Sequence, residues 1–186
     1  MRAWSMTVGL GLLALCGGTA FAQGLEAENL LVGMPEGFEV GYEASQDGAE
    51  IHELIPAGES VEDWSQMATI QIYHGLVDLP GDRFASEMAT GWQAACEGST
   101  VTKLTEGDIN GFPFVLWSFV CPLNPQTGKP ETMYFKGITG SDAFYSVQYA
   151  YREVQNNDLE TVALTYLVAA SACDTRKPER ACPEGM

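Results

Sequence analysis

The sequence predicts an α+β domain, a mainly antiparallel sheet covered by two main helices, on three observations. Short runs of alternating apolar residues recur between residues 38 and 152. Helical periodicity occurs in only two places, residues 81–95 and 156–173. Those two segments do not alternate one for one with the strands, as a doubly wound parallel sheet would require.

Residues 38–44 and 49–55 read as two strands joined by Asp47-Gly48, a pair that supplies the positive backbone angles of a tight hairpin. Residues 67–74, MATIQIYH, form a third strand with Ile70, Ile72 and His74 on one face. In residues 81–95, Phe84, Met88 and Trp92 recur at every fourth position with Ala85, Ala89 and Ala95 beside them, the stripe of an amphipathic helix. Asp82 favours its positive end. A strand over 100–106 leads through Asn110-Gly111 into FPFVLWSFVC, which is apolar on both faces and reads as a central, buried strand. PLNPQTGKPE carries three prolines and a glycine, so the sheet is expected to stop there. Residues 132–138 and 143–152 form another hairpin around TGSD. Leu159, Val162, Ala163, Tyr166, Leu167 and Ala170 then repeat at helical spacing behind an Asn-Asn-Asp cap.

The beginning of the chain reads as an export signal. MRAWSMTVGLGLLALCGGTAFAQG has one arginine, an apolar run and the small residues Ala20 and Ala22 around Phe21, the pattern of a signal peptide over residues 1–22. Its apolar run is too short to span a bilayer, and no later segment is long and uncharged enough. Cys16 follows Leu15, where lipid attachment wants a small residue. Cleavage after Ala22 leaves 164 of the 186 residues, the size of one domain. The expected organisation is an N-terminal arm over 23–36, a single α+β domain over 37–173 and a tail over 174–186.

With 25 acidic against 9 basic residues, the net charge of −16 disfavours phosphate-rich partners such as nucleic acid or an anionic lipid surface. At 46% hydrophobic residues the chain is not disordered by composition. Beyond Cys16 it holds Cys96, Cys121, Cys173 and Cys182, an even set that permits three pairings. Nearest-neighbour pairing, Cys96 with Cys121 and Cys173 with Cys182, is preferred, and the second bond would tether the tail. The spacings suit neither a redox C-x-x-C pair nor a zinc site.

The order of elements, together with GFEVGYEAS, PAGESVEDWSQMATIQIYHG and the PGDRFASEM helix start, resembles the Mog1/PsbP-like fold over about residues 35–172. The matching features are a glycine before the first strand, a proline-glycine exit from the second and a tryptophan before the third. The resemblance implies an α/β/α sandwich and, because members of that fold are mostly non-enzymatic, an accessory or binding protein of the bacterial envelope. The expected compartment is the periplasm or the exterior, and the expected partner an envelope protein or a small apolar ligand.

Two further readings come from the residues. His52 and His74, with Glu62 from the intervening loop, would suit a metal site if the second and third strands pair. The excess of carboxylates would suit an inhibitor of a basic partner. Trp64 and the tyrosine row Tyr145, Tyr149 and Tyr151 are candidate binding residues, since a tyrosine joins an apolar body to a polar tip. No G-x-S-x-G elbow or H-E-x-x-H helix occurs, and no pattern calls for a cofactor.

Overall fold

The computed structural model describes residues 26–154 and 156–183. The export signal, Cys16 included, lies outside the described residues. Strands β1 (Glu28–Leu31), β2 (Phe38–Gln46), β3 (Ala49–Pro56) and β4 (Gln66–His74) precede helix α1 (Gly81–Ala95). Strands β5 (Thr100–Ile109), β6 (Phe112–Asn124), β7 (Lys129–Thr139) and β8 (Ala143–Tyr151) follow, then α2 (Asn157–Ala169), β9 (Ser171–Asp174) and a short 3-10 turn (Pro178–Arg180).

Two of the turns are set by their residues. Asp47 and Gly48 take φ of 52° and 79°, and Asn110 and Gly111 take 51° and 75°, the left-handed pair that lets a two-residue hairpin follow the strand twist. These hairpins and their neighbours build an antiparallel sheet in the order β2-β3-β4-β8-β7-β6-β5. The chain leaves β4, crosses the sheet through α1 to the far edge and returns strand by strand until β8 pairs with β4. The middle position therefore belongs to β8. FPFVLWSFVC in β6 is buried on both faces, as its composition requires, but stands one strand from the edge.

Alternation sorts the side chains into two layers. On one face, Ile55, Met67, Val115, Phe119, Phe135 and Phe144 pack under Ala85 and Ala89 of α1. On the other, Leu54, Ile70, Leu116, Val147, Tyr149 and Tyr151 pack under Ala163 and Leu167 of α2. The result is the α/β/α sandwich with a mainly antiparallel sheet. Both edge strands carry a register shift, at Val40/Tyr42 in β2 and Lys103/Thr105 in β5. Such bulges twist an edge away from unwanted pairing.

Three segments differ from their sequence reading. Residues 28–31, expected in a loose arm, form β1 and pair with β9 in a second, two-stranded sheet. The final helix, read as far as Cys173, ends at Ala169, and the chain continues extended so that Ser171–Asp174 meet β1. Prolines 122 and 130 do not end their strands: β6 runs on to Asn124 and β7 starts at Lys129, with the ladder irregular between Cys121 and Asn124. An irregular ladder removes the need for the missing N–H. Disulfides join Cys96 to Cys121, fastening the end of α1 to β6, and Cys173 to Cys182, holding the tail against β9.

Candidate functional site

The loop between β3 and β4 and the exit from β8 meet at one end of the sheet. Trp64, just before β4, is 8% exposed and packs into the α1-side core. Arg152, one residue beyond β8, lays its guanidinium 4.2 Å from the Trp64 ring. Its side chain is only 8% exposed. Nη1 donates to Asp63 Oδ1 at 3.2 Å and Nη2 to the Glu62 carbonyl at 3.4 Å, while the buried Nε–H has no acceptor among the described residues. A stack of this kind on a desolvated guanidinium is worth about 1–2 kcal/mol.

This pair stands in the wall of an open cleft of about 700 Å³ between the β3–β4 loop and the start of α2. Lys129 donates to Asp63 Oδ1 at 2.6 Å, and with Arg152 it holds that carboxyl below the usual range, the Lys129 hydrogen bond and charge being the larger cause. Asp63 is thus an ionised acceptor. Glu59 is fixed by Ser65, through the backbone N–H at 2.6 Å and the hydroxyl at 2.8 Å. Asn156 caps α2 by accepting from the Asp158 and Leu159 N–H groups, each at 3.1 Å. Glu153 and Asp158 complete a lining that carries four carboxylates and two cations.

The histidines are elsewhere. His52 lies in β3 opposite Glu43 and Ile70, and His74 ends β4 four positions beyond Ile70. That offset is about 13 Å of strand rise. The two rings approach one carboxylate between them: His74 Nε2 is 2.6 Å from Glu50 Oε1, and His52 Nε2 is 3.8 Å from Glu50 Oε2. His52 Nδ1 also lies 3.8 Å from Glu43 Oε2. Glu62 is not brought to them, because its loop is at the opposite end of β3 and β4. Among the described residues, no group of three or more His, Cys, Asp or Glu side chains is placed to hold a metal ion.

The tyrosines are core rather than groove. Tyr145, Tyr149 and Tyr151 are 1–3% exposed beneath α2 and the small sheet. Their hydroxyls are turned inward: Tyr145 donates to Glu28 Oε1 at 3.0 Å and Tyr149 to Gln66 Oε1 at 2.9 Å. Burial pushes the Tyr149 hydroxyl up to about 12. The alternation in β8 correctly put all three on one face, but a single strand could not reveal that a helix lies on it.

Arg152 and Lys136 escaped the sequence reading. Arg152 falls at the end of the strand read over 143–152, and Trp64, the ring it stacks on, is 88 positions away in the chain, so no local signal joins them. Lys136 is the one charge in the apolar run MYFKGI and is 2% exposed.

Fold and cleft together define an α/β/α sandwich with a polar, two-signed recess at one sheet end. No family model matches the chain, and no curated protein matches it in sequence. Among solved structures it is similar to the solution structure of cyanobacterial PsbP (CyanoP) from Synechocystis sp. PCC 6803, at 10% identity and a TM-score of 0.43, over 83% of this chain and 97% of that one. Nothing about ligand or partner follows from that likeness. Among the described residues, no helix is long and apolar enough to cross a membrane.

Proposed function

We propose that this chain is an exported, non-enzymatic binding protein of the cell envelope and that the Trp64–Arg152 cleft receives its partner. The observation that carries this is Arg152: a guanidinium more than nine-tenths buried, fixed by Trp64 and Asp63, whose Nε–H faces no acceptor among the described residues. A buried donor left without a partner costs about 1–3 kcal/mol, and a small shift of the side chain toward an acceptor in the cleft would recover it.

The polar lining favours a polypeptide segment over the small apolar ligand expected from the tyrosines. A carbonyl or carboxylate of the partner would meet Arg152, and a basic side chain would meet Glu153 and Asp158. Fixed, ionised groups suit binding better than proton transfer, and Asp63 is held ionised by its cations. The signal-type N-terminus and the disulfide-stapled domain support an extracytoplasmic setting.

The test is a pull-down from envelope extract with wild type and Arg152→Gln side by side, followed by titration of the captured protein. Selective loss with Arg152→Gln, and affinity falling with added salt, are expected. Turnover of a hydrolase substrate that is lost on replacing Glu62 or His74 would overturn the non-enzymatic reading. The reading of the chain as an inhibitor rests on its acidic excess, and it requires that the captured partner be basic and lose its activity when bound.

A further inference from the structure

Away from the cleft, the α2 face of the sheet buries a lysine. Lys136 lies in the middle of β7, between Tyr134 and Ile138 on the same face, and is 2% exposed. Its Nζ donates to the carbonyls of Leu167 at 3.0 Å and Ala170 at 2.7 Å, the free acceptors at the end of α2. It also stands 4.8 Å from the centre of the Phe114 ring.

Next to this amine is a cavity of about 150 Å³ between β5, β6 and the last turn of α2. Ile109, Phe114, Leu116 and Leu167 give it apolar walls, and the exposed Thr105 and Val168 stand at its mouth. Asp108 is the other charged residue in the lining. A pocket of this volume has room for a molecule about as large as benzene.

We propose that Lys136 is a covalent capture site for small apolar aldehydes, which enter this cavity and form a reversible imine with the amine. In the neutral amine the two N–H groups are engaged by Leu167 and Ala170, so the lone pair is the remaining valence. The nitrogen attacks the carbonyl carbon, forming a C–N bond while the carbon–oxygen π pair moves to oxygen. One proton passes from nitrogen to that oxygen. Loss of the hydroxyl with the second nitrogen proton releases water and leaves the C=N bond. No oxidant or reductant is needed. A protonated imine keeps one N–H for the Ala170 carbonyl, so part of the helix cap survives. Burial supports the same chemistry by lowering the amine to about 8, which leaves a useful neutral fraction near neutral pH.

The chain suits a direct test because Lys103, Lys129 and Lys177 are its only other lysines. Two of them, Lys103 and Lys129, are held in exposed ion pairs at 2.6 Å. Wild-type protein would be treated briefly with butanal and cyanoborohydride at about pH 8, where the reductant only traps the imine, and each lysine mapped by mass spectrometry. Lys136 should be alkylated about tenfold faster than any other lysine, and saturating toluene, an unreactive occupant of the cavity, should slow Lys136 alone. Alkylation of Lys136 at or below the rate of the surface lysines, or no protection by toluene, would overturn the proposal.

Discussion

The Glu28 carboxylate accepts the backbone N–H of Ser141 at 2.7 Å across 113 residues of sequence. The same group takes the Asp142 N–H at 3.2 Å and the Tyr145 hydroxyl at 3.0 Å. One side chain of β1 thereby fastens the β7–β8 turn and the start of β8, and carries the small β1–β9 sheet onto the larger one. Removing it leaves three partly buried donors unpaired. Glu28→Ala should therefore cost about 2–4 kcal/mol in chemical denaturation. A Cβ on Gly140 would fall on the Glu28 carboxylate and 2.5 Å from the Ala143 carbonyl, so Gly140→Ala should cost about 1–3 kcal/mol. The double variant should cost less than the sum but more than Glu28→Ala alone, since the Glu28 clash disappears with that side chain while the one with the Ala143 carbonyl remains.

The two disulfides should contribute unequally. Cys96–Cys121 closes a separation of 25 residues and Cys173–Cys182 one of 9. Chain entropy then assigns about 3.5 kcal/mol to the first and about 2.5 kcal/mol to the second. Paired Cys→Ser variants compared in urea should show that order, and loss of the second bond should leave the larger sheet protected from amide exchange while β9 and β1 open.

Alkaline titration should display Lys136. Its amine is lowered to about 8 by burial, against about 10.4 in an unfolded chain. Between those values the unfolded state binds more protons than the folded one, so stability rises with pH from about 8 to about 10, by roughly 2–3 kcal/mol. Above pH 10 the buried tyrosines reverse the trend. Tyr149, raised to about 12 by burial, holds its proton longer folded than unfolded, and its contribution is lost as pH climbs through that value. Denaturant midpoints across pH 7–11 should trace this rise and fall, and Lys136→Met should remove the rising limb.

Much of the fold was legible because its signals are local. The Asp47-Gly48 and Asn110-Gly111 hairpins, the α1 stripe of Phe84, Met88 and Trp92, and the Asn156 cap each depend on residues a few positions apart. The cysteine pairs were legible for the same reason. What escaped depends on distance. β1 is only four residues long and exists because β9 lies beside it. The end of α2 is set by an extended partner strand and by an amine from β7. His52 and His74 were correctly placed on neighbouring strands, but their four-residue offset is a matter of register, which alternation alone does not give. Arg152 became visible only when the loop carrying Trp64 was placed against it.

At the acid end, Asp174 should limit stability. It is fully buried in β9, and Arg176 holds its carboxyl at about 2, chiefly through side-chain hydrogen bonds, with Nε at 2.8 Å from Oδ1 and Nη2 at 2.8 Å from Oδ2. A carboxyl held low in the folded state stabilises above its unfolded value near 3.9, and that contribution is lost as pH falls through the folded one. Unfolding curves between pH 5 and 2 should therefore steepen with acid. Asp174→Asn should flatten that limb and lower stability at neutral pH, because Arg176 would keep only Asp142 as a charged partner.

The cleft makes its own prediction about side-chain type. Arg152 stacks on Trp64 through a flat guanidinium and donates from both terminal nitrogens, to Asp63 and to the Glu62 carbonyl. A lysine would keep the charge but lose the plane and the fork. Arg152→Lys should thus cost about 1–2 kcal/mol although the charge is unchanged. Trp64→Phe should cost about 1 kcal/mol, since a smaller ring still offers a π face, whereas Trp64→Ala should cost about 3–4 kcal/mol by opening the core. Asp63 is mostly exposed, so Asp63→Asn should change stability by less than about 1 kcal/mol. If the cleft binds through Arg152, that same Asp63→Asn variant should bind the captured partner more weakly, because it releases the guanidinium from its fixed position. Unchanged affinity in Asp63→Asn, together with unchanged capture by Arg152→Gln, would leave the Trp64–Arg152 stack as a structural clasp.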